Sequence, residues 1–346
     1  MKILAVADAF MKKEYYENCF RKYPELDPTI IFWGDPERED MRSKVHLMER
    51  NGPYTLEPPA ELEDIIEDFE LLMVHLCPLP EKVLAKAKKL RAILSNRGGL
   101  ENIDVATATK YSIPVLNNPA HNANSVAELT IGLMLAETRN IARTHANMVK
   151  GIWEEYYANA GKVYELCGRT VGIIGFGNIG RRVARRLTAF DTRTLVYDSW
   201  VSPDDPDIEK CGCEYVPLEE LLKESDIVTL HIRSHERYLS AEQLRMLKRG
   251  AYFINTARSH LIDNDEMYRL LRSGHLMGAA FDVYESEPLP ADADYLKLPN
   301  VTFTNHRGGD TVNCYSDSPE MLIVEYKKLA SGNRPKFFVN KTDLGL

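Results

Sequence analysis

Short apolar runs alternate with longer amphipathic stretches along nearly the whole chain, a pattern that predicts an α/β protein built on parallel sheets. In the first part, residues 2–7, 28–33, 71–75, 90–95 and 114–117 read as strands. Residues 61–69, 81–89 and 105–111 between them read as helices. The stretch 34–59 is polar, charged and broken by Pro36, Pro53, Pro58 and Pro59, so an insertion or mobile loop is expected there. Residues 125–148 are apolar at helical spacing (Val126, Leu129, Leu133, Leu135), and Ser125 with Glu128 has the form of a capping box. A helix of that length is expected to link two domains and to leave an apolar face for a partner. The arm 151–168 carries Trp153, Tyr156, Tyr157 and Tyr164, too aromatic for an idle linker. A homodimer through residues 122–168 is the expectation.

A second strand series follows at 170–174, 194–197, 227–231, 251–255, 278–281 and 301–303, with helices between. A last helix at 318–331 is expected to fold back onto the first domain. The predicted division is 1–118 with 311–346 for one domain and 119–310 for the other. Length agrees, since 346 residues exceed a single core of ordinary size. Hydrophobic content of 44% and charged content of 27% are those of a soluble globular protein, and a net charge of −8 gives no electrostatic reason to expect nucleic acid. No apolar run approaches the roughly 20 residues that cross a bilayer, and none has the form of a signal peptide. A cytoplasmic location is therefore expected. Six scattered cysteines, with Cys211-Gly-Cys213 lacking the two-residue gap of metal or redox pairs, give no expectation of a metal.

Chemistry enters with Val171-Gly-Ile-Ile-Gly-Phe-Gly-Asn-Ile-Gly180. A buried-type strand runs into Gly175, Gly177 and Gly180, and a helical run begins at Arg181. The spacing suits a tight turn, close backbone approach to a pyrophosphate and close helix–strand packing. Asn178 and Ile179 would offer backbone groups at the helix start. Asp198, 18 residues beyond Gly180 at the end of the next strand, is placed to bind the adenosine ribose and repel a 2′-phosphate. The expected cofactor is NAD.

Ligands in such sheets sit beyond the carboxyl ends of the strands. Asn255-Thr-Ala-Arg258, Phe281-Asp282 to Glu287, and Thr304-Asn-His306 each follow a predicted strand. A histidine exchanges protons near neutral pH, a carboxylate orients it and favours its charged form, and an arginine grips an organic acid. Singly each has a structural reading. Together they point to proton transfer beside a nucleotide.

With these motifs the chain resembles the D-isomer-specific 2-hydroxyacid dehydrogenases from about residue 71 to 339. Asn102-Ile-Asp104, Asn117-Asn-Pro119, Asn124-Ser-Val-Ala-Glu128, the glycine turn, Lys248-Arg-Gly-Ala251, Asn255 to Arg258, Asp282 and His306 fall in family order. The resemblance implies two Rossmann-like domains, a flavodoxin-like substrate domain and a doubly wound NAD-binding domain. It implies Arg258, Glu287 and His306 as catalytic residues. It places Asp282 on the nicotinamide carboxamide, and Thr256, Ala257, Gly308 and Gly309 around the nicotinamide. Backbone at Arg97-Gly98-Gly99 is expected to cradle the carboxylate of a small 2-oxo or 2-hydroxy acid. Arg97 itself either reads a second anionic group or bridges to a loop acid, and His75 either lines the cleft or is a packed strand-end histidine. The Ile232 to Arg237 segment and Ser259-His260 depart from the family pattern, and 34–59 has no counterpart in it. Formate dehydrogenase shares this fold, but goes with glutamine where Glu287 stands. An NAD-sensing corepressor-like interaction protein would keep the same trio, so the trio alone does not decide against it.

Overall fold

The structure is a computed structural model that describes residues 1–345, apart from the side chains of residues 42, 43, 46 and 49. It divides into two compact units, Met1–Asn122 with Thr311–Leu346, and Ala123–Asp310. The division thus falls four residues beyond the expected 118/119 boundary.

The first unit holds β1 (Lys2–Ala7), β2 (Asp27–Phe32), β3 (Leu71–Val74), β4 (Ala92–Ser95) and β5 (Val115–Asn117). All are parallel, in the order β2-β1-β3-β4-β5. That is the flavodoxin-like order. The strands read as continuous apolar runs because both faces are covered. Leu4 and Val6 join one core layer, while Ile3, Ala5 and Ala7 join the other. The returning helix Ser318–Ala330 covers the second layer with Leu322, Ile323 and Tyr326.

The second unit holds β6 (Thr170–Ile174), β7 (Arg193–Tyr197), β8 (Cys213–Tyr215), β9 (Ile227–Leu230), β10 (Tyr252–Asn255), β11 (Gly278–Phe281) and β12 (Val301–Phe303). Their order is β12-β11-β10-β9-β6-β7-β8. Counted from β6 this is 7-6-5-4-1-2-3, the doubly wound dinucleotide order with one strand added at the edge. The switch point lies between β6 and β9. No helix among the described residues is long and apolar enough to cross a membrane.

Three expectations need correction. The 34–59 stretch is no plain loop, because the helix Arg38–Asn51 occupies much of it. Met41, Val45 and Met48 form an i, i+4, i+7 stripe, and Met41 and Met48 are fully buried in the first layer of the core. The helix expected at 125–148 is two helices, Ala123–Thr138 and Ile141–Met148, broken where Asn140 adopts a left-handed φ of 57°. Because the first begins at Ala123, Ser125 lies inside it and is not its N-cap. The short edge strand β8 and the helix Lys13–Phe20 stand where no element was expected.

Candidate active site

The glycine turn of the second unit is dictated by space. Gly175 has φ +98°, and a Cβ there would lie 2.6 Å from the His231 carbonyl oxygen. A Cβ at Gly180 would run into the Gly175 carbonyl oxygen, so the helix Gly180–Leu187 can start this close to β6 only with glycine. Gly177 faces open space. Bare backbone ahead of a helix N-terminus is what a pyrophosphate needs, so the turn fits the dinucleotide. Arg182 Nη1 donates to the Asn178 carbonyl at 2.7 Å, and Ile179 caps the helix. Asp198, at the end of β7, accepts from Phe176 N and Trp200 N, each at 2.7 Å, which ties it to the turn. His231 is wholly enclosed. Burial pushes its pKa down to about 3, and its Nε2 pairs with Thr229 Oγ1 at 3.0 Å. It is a neutral wall of the turn.

Register brings the three chemical segments side by side. Asn255 of β10 pairs with Phe281 of β11, which pairs with Phe303 of β12. Arg258, Glu287 and His306 follow these three neighbouring strand ends by three, six and three residues. Asn255 holds the first loop, taking the Ala257 N–H and donating to the Arg258 carbonyl, both at 3.0 Å. That loop keeps its shape despite Ser259-His260, and His260 Nε2 lies 2.9 Å from Ser234 O, tying it to the atypical 232–237 segment. Arg258 is exposed, with Nη1 giving a hydrogen bond to the Ala257 carbonyl at 2.7 Å. Thr256 is buried, its hydroxyl 3.0 Å from that of Thr130.

His306 Nδ1 meets Glu287 Oε2 at 2.7 Å, and Glu287 Oε1 accepts Tyr284 N at 3.1 Å. The histidine has a left-handed φ of 55°, uncommon for a residue with a Cβ. Asp282 explains how that conformation is held. One carboxylate oxygen accepts the Thr304 hydroxyl at 2.6 Å and Arg307 N at 2.8 Å, and the other accepts Gly308 N at 2.8 Å. Asp282 is therefore the anchor of the 304–308 loop, which differs from the expected role on the nicotinamide carboxamide. Gly308 and Gly309 continue that loop, and a Cβ on Gly308 would lie 3.0 Å from the same carboxylate. Tyr284 adds a second tie, donating to Thr304 O at 2.6 Å. Tyr284 and Thr304 were not singled out from sequence. Their signal, a hydroxyl next to a strand end, is too common to stand out.

In the first unit, Gly98 and Gly99 have ordinary negative φ, so they form no left-handed nest. What they supply is room. A Cβ on Gly98 would meet the Pro119 backbone at 3.0 Å, and one on Gly99 would strike the Glu101 carboxylate. Arg97 Nη2 lies 3.4 Å from Glu101 Oε2, the bridge to a loop acid that was one of its two readings. His75 is buried and pairs through Nδ1 with Asp8 at 3.0 Å.

A doubly wound sheet with a glycine turn, a ribose-side acid and a histidine–carboxylate pair at adjacent strand ends defines an NAD-dependent oxidoreductase. Residues 131–308 match the family described as D-isomer specific 2-hydroxyacid dehydrogenase, NAD binding domain. The chain is 36% identical over 291 residues to a glyoxylate reductase of Korarchaeum cryptofilum, covering 82% of this chain and 87% of that one. It is 40% identical over 258 residues to a hydroxypyruvate reductase of Thermotoga maritima, covering 72% and 81%. Its fold is like that of the NAD-complexed D-isomer specific 2-hydroxyacid dehydrogenase of Lactobacillus delbrueckii, with a TM-score of 0.78, 23% identity and coverage of 98% and 100%. The chain belongs to the D-isomer-specific 2-hydroxyacid dehydrogenase family, and it is an NAD-dependent oxidoreductase of 2-hydroxy acids. The interaction-protein reading finds no support in these relatives.

Proposed function

We propose that the chain reduces a small 2-oxo acid to its D-2-hydroxy acid, with His306 as the acid/base. The observation that carries this is the 2.7 Å His306–Glu287 pair, held on a strand-end loop beside the Arg258 loop. When bound, NADH supplies the hydride to the carbonyl carbon. His306 gives its proton from Nε2 to the carbonyl oxygen, while Glu287 steadies the imidazolium through Nδ1. Arg258 grips the substrate carboxylate and polarises the carbonyl, in the bidentate manner open to a guanidinium. In the first unit, backbone at Gly98 and Gly99 is the cradle proposed for that carboxylate. The reverse reaction begins with neutral His306 as base. Glu287 speaks against the formate dehydrogenase activity that goes with glutamine.

The chain is further read as a cytoplasmic homodimer. Six free cysteines, four of them buried, suit a reducing compartment. The arm and the helix before it leave large apolar side chains in water, a surface of the kind that a second copy covers.

The test is NADH oxidation with glyoxylate, pyruvate, hydroxypyruvate, 2-oxoglutarate and phosphohydroxypyruvate. Turnover is expected on at least one, and His306→Ala is expected to lower kcat by about 10²–10⁴-fold with NADH binding nearly intact. Tight NADH binding without turnover on any acid sinks the reductase reading, and wild-type turnover in His306→Ala sinks the assigned base.

A further inference from the structure

The first unit carries a second carboxylate–histidine pair that the reaction above does not use. β1 and β3 are neighbours at the centre of its sheet, and Asp8 and His75 are the residues immediately after them. Asp8 is 2% exposed. It accepts Phe10 N at 2.9 Å, Met11 N at 2.8 Å and Leu76 N at 3.2 Å, besides His75 Nδ1 at 3.0 Å. Burial alone would push its pKa up, but His75 and these amides hold it below the ordinary value, so the carboxylate is charged. The imidazole is thereby fixed with Nδ1 toward Asp8 and Nε2 turned away from it.

Two rings flank His75 edge-on, Phe10 at 6.2 Å and Tyr315 at 5.8 Å. The guanidinium of Arg38 rests on the same two rings, 5.2 Å from the first centroid and 5.4 Å from the second. Stacking occupies its faces and leaves its edge for hydrogen bonds, one of which Nε gives to Ala9 O at 3.3 Å. Arg38 is the first residue of the helix Arg38–Asn51, where a cation opposes the helix dipole. Helix stability therefore does not explain an arginine at this position. It does place a guanidinium beside an oriented imidazole at the carboxyl ends of β1 and β3, where parallel sheets bind ligands.

The neighbouring strand end is part of the same picture. β4 pairs with β3 and leads into Gly98 and Gly99, the proposed carboxylate cradle. A substrate held there by its carboxylate would extend its other end toward β3 and β1. Burial pushes His121 down to about 4, and the charges of His75 and Arg97 act in the same direction, a sign of positive potential. The acids on this side are committed locally, Asp8 to His75 and Glu101 to Arg97.

We propose that Arg38 and His75 form a subsite for a second anionic group, so that the preferred substrate is a 2-oxo acid carrying a further carboxylate or phosphate. Arg38 and the protonated Nε2 of His75 donate to that group, and Asp8 balances the imidazolium charge from behind. The inference rests on the reading of the chain as a 2-oxo acid reductase. It gives the helix in the 34–59 stretch a role in choosing the acid.

The test compares kcat/KM of the full chain for 2-oxoglutarate, oxaloacetate and phosphohydroxypyruvate with that for pyruvate and hydroxypyruvate. Wild type is expected to favour the acids with a second charge, and the arms of the panel separate carboxylate from phosphate. Arg38→Met should lower that preference by about 10–100-fold, mainly through KM. Arg38→Lys should keep part of it, and stands in if circular dichroism finds the methionine variant unfolded. An unchanged preference in the folded variant, or a wild-type preference for uncharged side chains, overturns the subsite. If no acid oxidises NADH, the reductase reading has failed, and calorimetry decides the subsite separately. Phosphoglycerate must then bind more tightly than D-lactate and lose that advantage in Arg38→Met. Equal binding overturns it.

Discussion

Asp282 is 1% exposed and engages both carboxylate oxygens with Thr304, Arg307 and Gly308, the residues around His306. Asp282→Asn keeps the size but turns an amide donor toward an N–H that needs an acceptor. The loop then loses the tie that holds His306 at φ 55°. Misplacing a reacting group by an ångström can cost about 100-fold, so kcat should fall by about 10–100-fold. NADH affinity, read by fluorescence quenching, separates two roles. A kcat loss at unchanged affinity fits an anchor of the loop, while weakened NADH binding would restore the nicotinamide role. The catalytic trio could be read from sequence because its signal is positional: an arginine, an acid and a histidine after successive strands. Asp282, Tyr284 and Asp8 were harder to read, since their partners are backbone amides and hydroxyls brought near only by the folded loops.

Strands were more legible than helices, for a physical reason. A strand covered on both faces shows as an apolar run, whereas a surface helix shows only a stripe. Met41, Val45 and Met48 are that stripe in Arg38–Asn51, dispersed among charges and preceded by Pro36. β8 escaped notice because it is a three-residue edge strand, Cys213-Glu-Tyr215, with its acid exposed. The break at Asn140 is set by a network that apolar spacing cannot show. Arg143 donates to both oxygens of buried Glu137 at 2.5 and 2.6 Å, to Asn140 Oδ1 at 3.0 Å and to Pro299 O at 2.6 Å. The Thr302 hydroxyl completes the carboxylate at 2.6 Å. Burial pushes Glu137 up despite these partners, so the pair stands only while the arginine is present. Arg143→Met should cost about 3–5 kcal/mol in urea unfolding, the effect of an uncompensated buried charge. Adding Glu137→Gln should recover part of it. A loss below about 1 kcal/mol would reduce the network to an ordinary surface pair.

Across the whole molecule, the chain enters the second unit at residue 123 and returns to the first at 311. The return is built in: Val339 N donates to Val115 O at 2.9 Å, and Asn340 bonds Thr109, Ile113 and Val115. What the described surface leaves uncovered is a run of large apolar groups, Val149 at 70%, Trp153 at 77%, Tyr156 at 77% and Tyr164 at 52% exposed. A slack arm would account for that, but this one is tied down. Leu166 is buried, and Asn159 donates to Tyr252 Oη at 3.0 Å and Thr138 O at 3.3 Å. A fixed arm that holds aromatics in water is costly unless something covers them, and a second copy presenting the same face is the simplest occupant. Sedimentation should then give twice the chain mass of 39.4 kDa. Trp153→Glu with Tyr156→Glu touches no buried group of either unit, so it should yield a folded monomer. A wild-type chain that sediments at single mass at micromolar concentration would leave those aromatics to some other partner.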